Sequence, residues 1–235
     1  MIDCHSPNFD DRALPVSMLV LHYTGMVDAA AAIQRLADPE AKVSAHYLIA
    51  EDGQIVRFVD EGKRAWHAGK SRWRGIDDVN SASIGIELVN PGHEFGYRPF
   101  PEPQMSALIP LMAEIVQRHG ITRGNIVGHS DVAPARKRDP GELFDWERLA
   151  RVRLALPRPR KFLSDPNWTD GGFLLALERF GYDVLDQEAA VRAFQRRFRP
   201  ETLDGVIDGE CRAILLSLLT GGDKAAALRQ QGEAD

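Results

Sequence analysis

A chain of 235 residues can hold one large or two modest domains, and a hydrophobic fraction of 44% is ample for a packed core. A formal charge of −5 argues against a nucleic-acid partner, which would demand a basic face. No stretch approaches the roughly 18 consecutive apolar residues of a membrane span, and the two cysteines, Cys4 and Cys211, are too few for a secreted disulfide scaffold and read as free thiols.

The first residues, Met1 to Pro7, are polar with an early acid and lack the basic and apolar regions of a secretory signal. Met1 as the natural start predicts a cytoplasmic protein; a leader ahead of it would predict a periplasmic or envelope one. Residues 1–15 read as irregular up to Pro15. Val16–Leu21 is β-branched and aliphatic, a central strand delivering His22 at its end. Ala29–Leu36 predicts a short helix stopped near Pro39. Ser44–Ala50 and Gln54–Phe58 flank Asp52-Gly53 and predict a hairpin.

Arg64–Gly69 and the charged segment to Asn80 read as a loop. Ser83–Val89 is another strand, and Pro91–Pro103 a second loop. Apolar spacing over Gln104–His119 predicts an amphipathic helix with Gly120 as its C-cap, kinked at Pro110 or starting there. Asn125–Gly128 is a short buried strand. Pro and Gly residues from Pro134 to Gly141 make the next stretch a loop, and Trp146–Leu154 is a further short helix. Pro157-Arg158-Pro159-Arg160-Lys161 reads as a semi-rigid basic linker. Beyond it, Gly172–Phe180, Gln187–Phe198 and Glu210–Leu219 are three short amphipathic helices that must pack together to be stable. The tail after Thr220 is expected to fray. The expected organisation is a domain over 1–156, a linker over 157–166 and a small helical domain over 167–235.

The chemistry concentrates around Gly128–Gly141, where His129 and Asp139 offer N and O ligands and Lys137 a fixed positive charge. A catalytic zinc takes three protein ligands and leaves a position for water, and His22 is the best third ligand. Two histidines and a carboxylate favour zinc over magnesium or calcium, although non-haem iron uses the same set. Glu87 sits among apolar residues, where an unpaired carboxylate is costly. It is either a general base or a strand-edge glutamate in solvent. Lys137 is either an oxyanion stabiliser or a surface lysine. Trp66 and His67, in a Gly-flanked loop, read as a pocket wall; His46, in a strand, is more often a hydrogen-bonded core residue.

Together these residues resemble the zinc-dependent N-acetylmuramoyl-L-alanine amidases of the AmpD and AmiD type, relatives of phage lysozyme-type amidases and peptidoglycan recognition proteins. The resemblance runs from about Ser6 to Leu156. It is carried by Ser6–Asp10, Leu21-His22-Tyr23-Thr24, Val43–Tyr47, Arg64-Ala65-Trp66-His67-Ala68-Gly69, Ser83–Leu88, and Gly128-His129-Ser130-Asp131 with Lys137–Gly141. It implies an α/β fold, a mixed central β-sheet flanked by helices. It also implies Zn2+ on His22, His129 and Asp139, Glu87 as proton acceptor and Lys137 as transition-state stabiliser. Trp66, His67 and His46 are the expected substrate contacts.

Residues from about Asp165 to Leu219 resemble the small three-helix peptidoglycan-binding domain attached to wall hydrolases. The carriers are Leu177 to Tyr182, Ala190–Gln195 and Asp204–Asp208, with Arg199–Leu203 departing from the usual approach to the Asp-Gly turn. The implied reaction cleaves the amide between N-acetylmuramic acid, in 1,6-anhydro forms too, and L-Ala of the stem peptide. The implied partners are peptidoglycan fragments or muropeptides, with no nucleic acid, membrane span or protein partner. The alternatives are a non-catalytic module that senses wall fragments and a hydrolase of another amide, because fold alone does not set substrate.

Overall fold

The computed structural model describes residues 1–159 and 162–232. Its strands are β1 (Ile2–Asp3), β2 (Phe9–Asp11), β3 (Met18–Tyr23), β4 (Tyr47–Ile49), β5 (Ile55–Arg57), β6 (Lys63–Ala65), β7 (Ser83–Leu88) and β8 (Ile126–Gly128). Its helices are α1 (Ala29–Ala37), α2 (Val79–Ala82), α3 (Gly92–Phe95), α4 (Glu102–His119), α5 (His129–Val132), α6 (Trp146–Arg151), α7 (Asp170–Phe180), α8 (Gln187–Phe198) and α9 (Gly209–Gly232). The main sheet has the order β1-β5-β4-β7-β3-β8, all neighbours parallel except the β4–β5 hairpin. A separate antiparallel pair joins β2 to β6. The architecture is the mixed, helix-flanked α/β sheet expected from the sequence.

Side chains alternate across a strand, and this alternation sorts the core. Leu19 and Leu21 of β3 and Ile84, Ile86 and Leu88 of β7 pack with Leu108, Met112 and Ile115 of α4 on one face. Met18 and Val20 leave the opposite face. There they join Val127, Trp73 and a C-terminal set including Phe173, Leu177, Phe194, Ile214 and Leu215 in one continuous cluster. The three C-terminal helices therefore cover the second face of the sheet. Burying apolar surface at about 25 cal/mol per Å² makes this contact a major part of what holds the two regions together.

Four expectations are corrected. Residues 1–15 are not wholly irregular, because β1 pairs with β5 and β2 with β6. The segment taken as a loop at Arg64 contributes β6. Both pairings depend on backbone partners remote in sequence, which local patterning does not reveal. Pro110 neither starts nor ends α4, which runs unbroken from Glu102; it lies on the exposed side, where water can serve the carbonyl that lacks its helical donor. The last helix runs well past Leu219. Of the basic linker, Arg160 and Lys161 lie outside the described residues, as does the end of the tail, 233–235. Arg158 is tied down by Glu201, at 2.7 Å. Both cysteines are free thiols. Among the described residues no helix is long and apolar enough to cross a membrane.

Candidate active site

The strand ends that gather at one edge of the sheet place the site. In an open α/β sheet, ligands bind beyond the carboxyl ends of the strands. His22 is the fifth residue of β3, on the same face as Met18 and Val20. His22 pairs in register with Glu87 of β7. Leu21 pairs with Gly128, the last residue of β8, so the next residue, His129, begins α5 beside them. The loop after α5 returns Asp139, held there by the Ser130 N–H donating to the Asp139 carbonyl at 2.8 Å. Gly128 permits this return, since a Cβ there would come within 2.6 Å of Pro140 Cδ.

His22, His129 and Asp139 are all buried. Their Nδ1, Nδ1 and Oδ2 atoms lie 2.9 Å apart between the histidines and 3.0 Å from each histidine to the aspartate. The outer nitrogens fix the ring tautomers. His129 Nε2 lies 3.1 Å from the Ala68 carbonyl and must donate to it. The Ser83 hydroxyl donates to the Val79 carbonyl, so its oxygen accepts from His67 Nε2; His67 Nδ1 is then an acceptor and takes the Nε2–H of His22. Both Nδ1 atoms therefore bring lone pairs, not protons, to the point they share with a carboxylate oxygen. Three such atoms this close repel one another unless a cation lies among them. The group could hold a metal ion, and its donors suit one.

The local electrostatics agree. Burial, reinforced by neighbouring His129, pushes His22 down to about 4, so its ring is neutral as a ligand must be. Burial and then His22 and His46 lower His67 well below its usual value. Burial works against ionisation of Asp139, but the adjacent histidines prevail and hold it well below the usual carboxylate range. Glu87 behaves oppositely: burial first, then the Asp139 charge, pushes it up to about 8. Its Oε2 is buried without a hydrogen-bond partner.

Glu87, Lys137, His129 and Asp139 line a cleft of about 790 Å³. His67 also reaches its wall, but it is 5% exposed and both its nitrogens are engaged. It borders the cleft and supports His22 through its Nδ1. His46 is fully buried, its Nδ1 accepting from the Gly85 N–H. Trp66 is not among the residues lining the cleft, and its indole N–H donates to Asp10 at 2.6 Å. Neither His46 nor Trp66 borders the cleft that was expected to present them to a substrate. The cleft instead recruits Tyr23, His93, Arg35 and Arg138. His93 comes from the turn α3 and is bonded to Tyr23 and Glu142. These residues come from four separate stretches, Tyr23 from β3, Arg35 from α1, His93 from α3 and Arg138 from a loop, which no local pattern brings together; Tyr23 beside His22 is the one a sequence reading could have flagged.

Comparison with known proteins agrees with this geometry. The N-acetylmuramoyl-L-alanine amidase family model matches residues 12–142, and the chain belongs to that family and is an amidase. It is 38% identical over 230 residues to the N-acetylmuramoyl-L-alanine amidase AmiD of Escherichia coli K12, covering 87% of this chain and 82% of that protein. It is 38% identical over 173 residues to the 1,6-anhydro-N-acetylmuramyl-L-alanine amidase AmpD of Haemophilus influenzae, covering 63% and 91%. The structure of Escherichia coli AmiD in complex with the substrate anhydro-N-acetylmuramic acid-L-Ala-D-γ-Glu-L-Lys superposes with a TM-score of 0.79 at 34% identity, covering 90% and 92% of the two chains. That of AmpDh3 from Pseudomonas aeruginosa gives 0.76 at 34% identity, covering 86% and 91%.

Proposed function

We propose that this chain is a zinc amidase of muropeptide recycling or turnover. It cleaves the amide between the lactyl group of N-acetylmuramic acid, including its 1,6-anhydro form, and L-Ala of the stem peptide. The observation that carries the reading is the convergence of two imidazole lone pairs and one carboxylate oxygen within about 3 Å of one another, on a cleft wall that also holds an unpartnered carboxylate. Escherichia coli AmiD in complex with anhydro-N-acetylmuramic acid-L-Ala-D-γ-Glu-L-Lys, and AmpDh3 of Pseudomonas aeruginosa in complex with an anhydromuramic pentapeptide, support the substrate class.

His22, His129 and Asp139 would hold the zinc ion. When bound, it supplies Lewis acidity toward the scissile carbonyl and lowers the pKa of water. Glu87 Oε2 accepts the proton of the attacking water and returns it to the nitrogen of L-Ala as the amide breaks. A carboxyl poised near neutrality suits both transfers. Lys137 Nζ, a fixed positive charge on the cleft wall, faces the oxyanion that develops on the carbonyl oxygen. Arg35 and Arg138, which line the cleft and make no side-chain hydrogen bond or ion pair among the described residues, would meet stem-peptide carboxylates.

Residues 157–166 are read as the boundary of a second, helical unit over 167–235. Its residue resemblance, together with the extension of the AmiD match over 87% of the chain, supports a peptidoglycan-binding origin. Mass spectrometry of products tests the whole reading, with zinc-loaded protein given 1,6-anhydro-muropeptides and intact sacculi side by side. Free stem peptides from the soluble fragments are expected. Release from sacculi as well would extend the activity to polymer, and cleavage of neither would replace the amidase with a binding module.

A further inference from the structure

Three buried polar side chains meet where the C-terminal helices pack on the sheet, and the chemistry above uses none of them. Asp131 is 2% exposed and is the third residue of α5, the turn whose first residue is His129. Its Oδ2 accepts the Gly128 N–H at 2.8 Å, closing the start of that turn. Its Oδ1 accepts the Tyr182 hydroxyl at 2.6 Å. Tyr182 follows the C-cap of α7, is itself 2% exposed, and has its ring edge-on to Trp73 at 5.1 Å. Arg197 of α8 donates through Nη2 to the Ile126 carbonyl at 3.2 Å. Its Nη1 lies 3.7 Å from Asp131 Oδ2, and its guanidinium stacks over Trp146.

The segment Ile126–Asp131 is thus held by the C-terminal region at both ends. It carries His129 directly, and through Ser130 N–H it holds the loop that carries Asp139. Apolar contact alone would join the two regions without burying a carboxylate and a guanidinium, and such groups are a weak source of stability. What they add is direction: the Tyr182 hydroxyl donating to one oxygen of the carboxylate, with the Arg197 cation 3.7 Å from the other, fixes the rotation of a single helical turn, and hence the direction of the His129 ring.

We infer that the C-terminal helical unit is part of the metal site, with Tyr182 and Arg197 acting through Asp131 as positioning residues for the His129 ligand. The inference rests on the metal reading given above. It makes the helical unit a brace for catalysis, whatever it also binds. Truncating the hydroxyl frees Asp131 Oδ1, lets α5 rotate, and weakens the ion's hold without touching a ligand.

The experiment uses the full chain, stripped of metal, with zinc affinity read by competition against a chromogenic chelator and the melting temperature recorded alongside. His22→Ala serves as the ligand-loss control. Leu215→Ala, in the same helical core but on α9, which supplies none of the polar contacts to Ile126–Asp131 named above, serves as the stability control. Tyr182→Phe is expected to weaken zinc on the order of tenfold, as loss of outer-shell partners does elsewhere, while Leu215→Ala lowers the melting temperature with zinc affinity intact. Should Tyr182→Phe fail to fold, Arg197→Gln, which leaves the tyrosine in place, is expected to shift affinity the same way. Wild-type affinity in the folded variants would overturn the inference alone. A wild-type chain that binds zinc no better than His22→Ala would overturn the metal reading, and the inference with it.

Discussion

His22 and Glu87 are register partners on adjacent parallel strands, leaving the same face of the sheet at its carboxyl edge. One strand pair thus brings the proposed metal ligand and the proposed general base side by side. A site built on strands is held more precisely than one built on loops, and of the five residues assigned to the site only Asp139 and Lys137 come from a loop, His129 being the first residue of α5.

The role given to Glu87 predicts a separation between activity and stability. Glu87→Gln keeps the shape and removes the proton acceptor, so turnover should fall by about 10²–10⁴. Zinc content should be unchanged. Because burial disfavours the charged carboxylate and its Oε2 has no partner, the variant should melt no lower than wild type. Turnover within a few-fold of wild type at full zinc occupancy would remove Glu87 from the mechanism.

The relay from His22 through His67 to Ser83 predicts that zinc affinity responds to residues that touch no ion. His67→Phe removes the acceptor for His22 Nε2–H and should weaken zinc by about 10- to 100-fold in chelator competition. Gly85→Ala should act in the same direction, since a Cβ there runs into the His67 ring. It should also destabilise by about 1–3 kcal/mol through overpacking. Affinity unaltered in both would mean that His22 is oriented by its strand alone.

Much of this site was legible because the sequence pattern and the strand period agree. Aliphatic runs ending in His22 and containing Glu87 announce strands, and the period of two puts the odd residues of β7 and the even residues of β3 on one face. Gly53 between two β-rich runs likewise marked the hairpin correctly. Residues whose neighbours are set only by tertiary folding stayed hidden. His67 lines the cleft as its loop position suggested, but nothing local announces that it also takes the Nε2–H of His22. Trp66 looks like a sugar platform until Asp10, 56 residues away, takes its N–H. The β1 and β2 edges failed for the same reason, being defined by partners more than 50 residues distant.

His46 predicts acid sensitivity away from the ligands. Burial first, and then the Arg12 charge, push this fully buried ring down to about 3. The folded chain keeps it neutral, whereas the unfolded chain protonates it near its ordinary value of about 6.5. Stability should therefore be intact above pH 6.5 and decline as the pH falls from there toward 3, with a slope of up to about 1.4 kcal/mol per pH unit from this one proton. Urea titrations of the zinc-free chain across that range should show the decline. His46→Gln, though less stable at pH 7, should show a shallower slope by up to one proton, and an identical slope would assign the acid sensitivity to other groups.

Lys137 allows a test of charge apart from structure. Among the described residues its Nζ makes no hydrogen bond or ion pair, although its backbone N–H is anchored on the Ala133 carbonyl at 3.0 Å. An ammonium with no partner in the resting protein costs little to replace, so Lys137→Met should fold and melt as wild type and keep its zinc. If the charge meets a developing oxyanion, the loss appears only in the transition state. Turnover should drop about 10²–10³-fold with little change in KM. Lys137→Arg should recover only part of the rate, because a planar guanidinium cannot place its charge where a compact ammonium does. A higher KM with turnover unchanged would instead make Lys137 a substrate-binding cation.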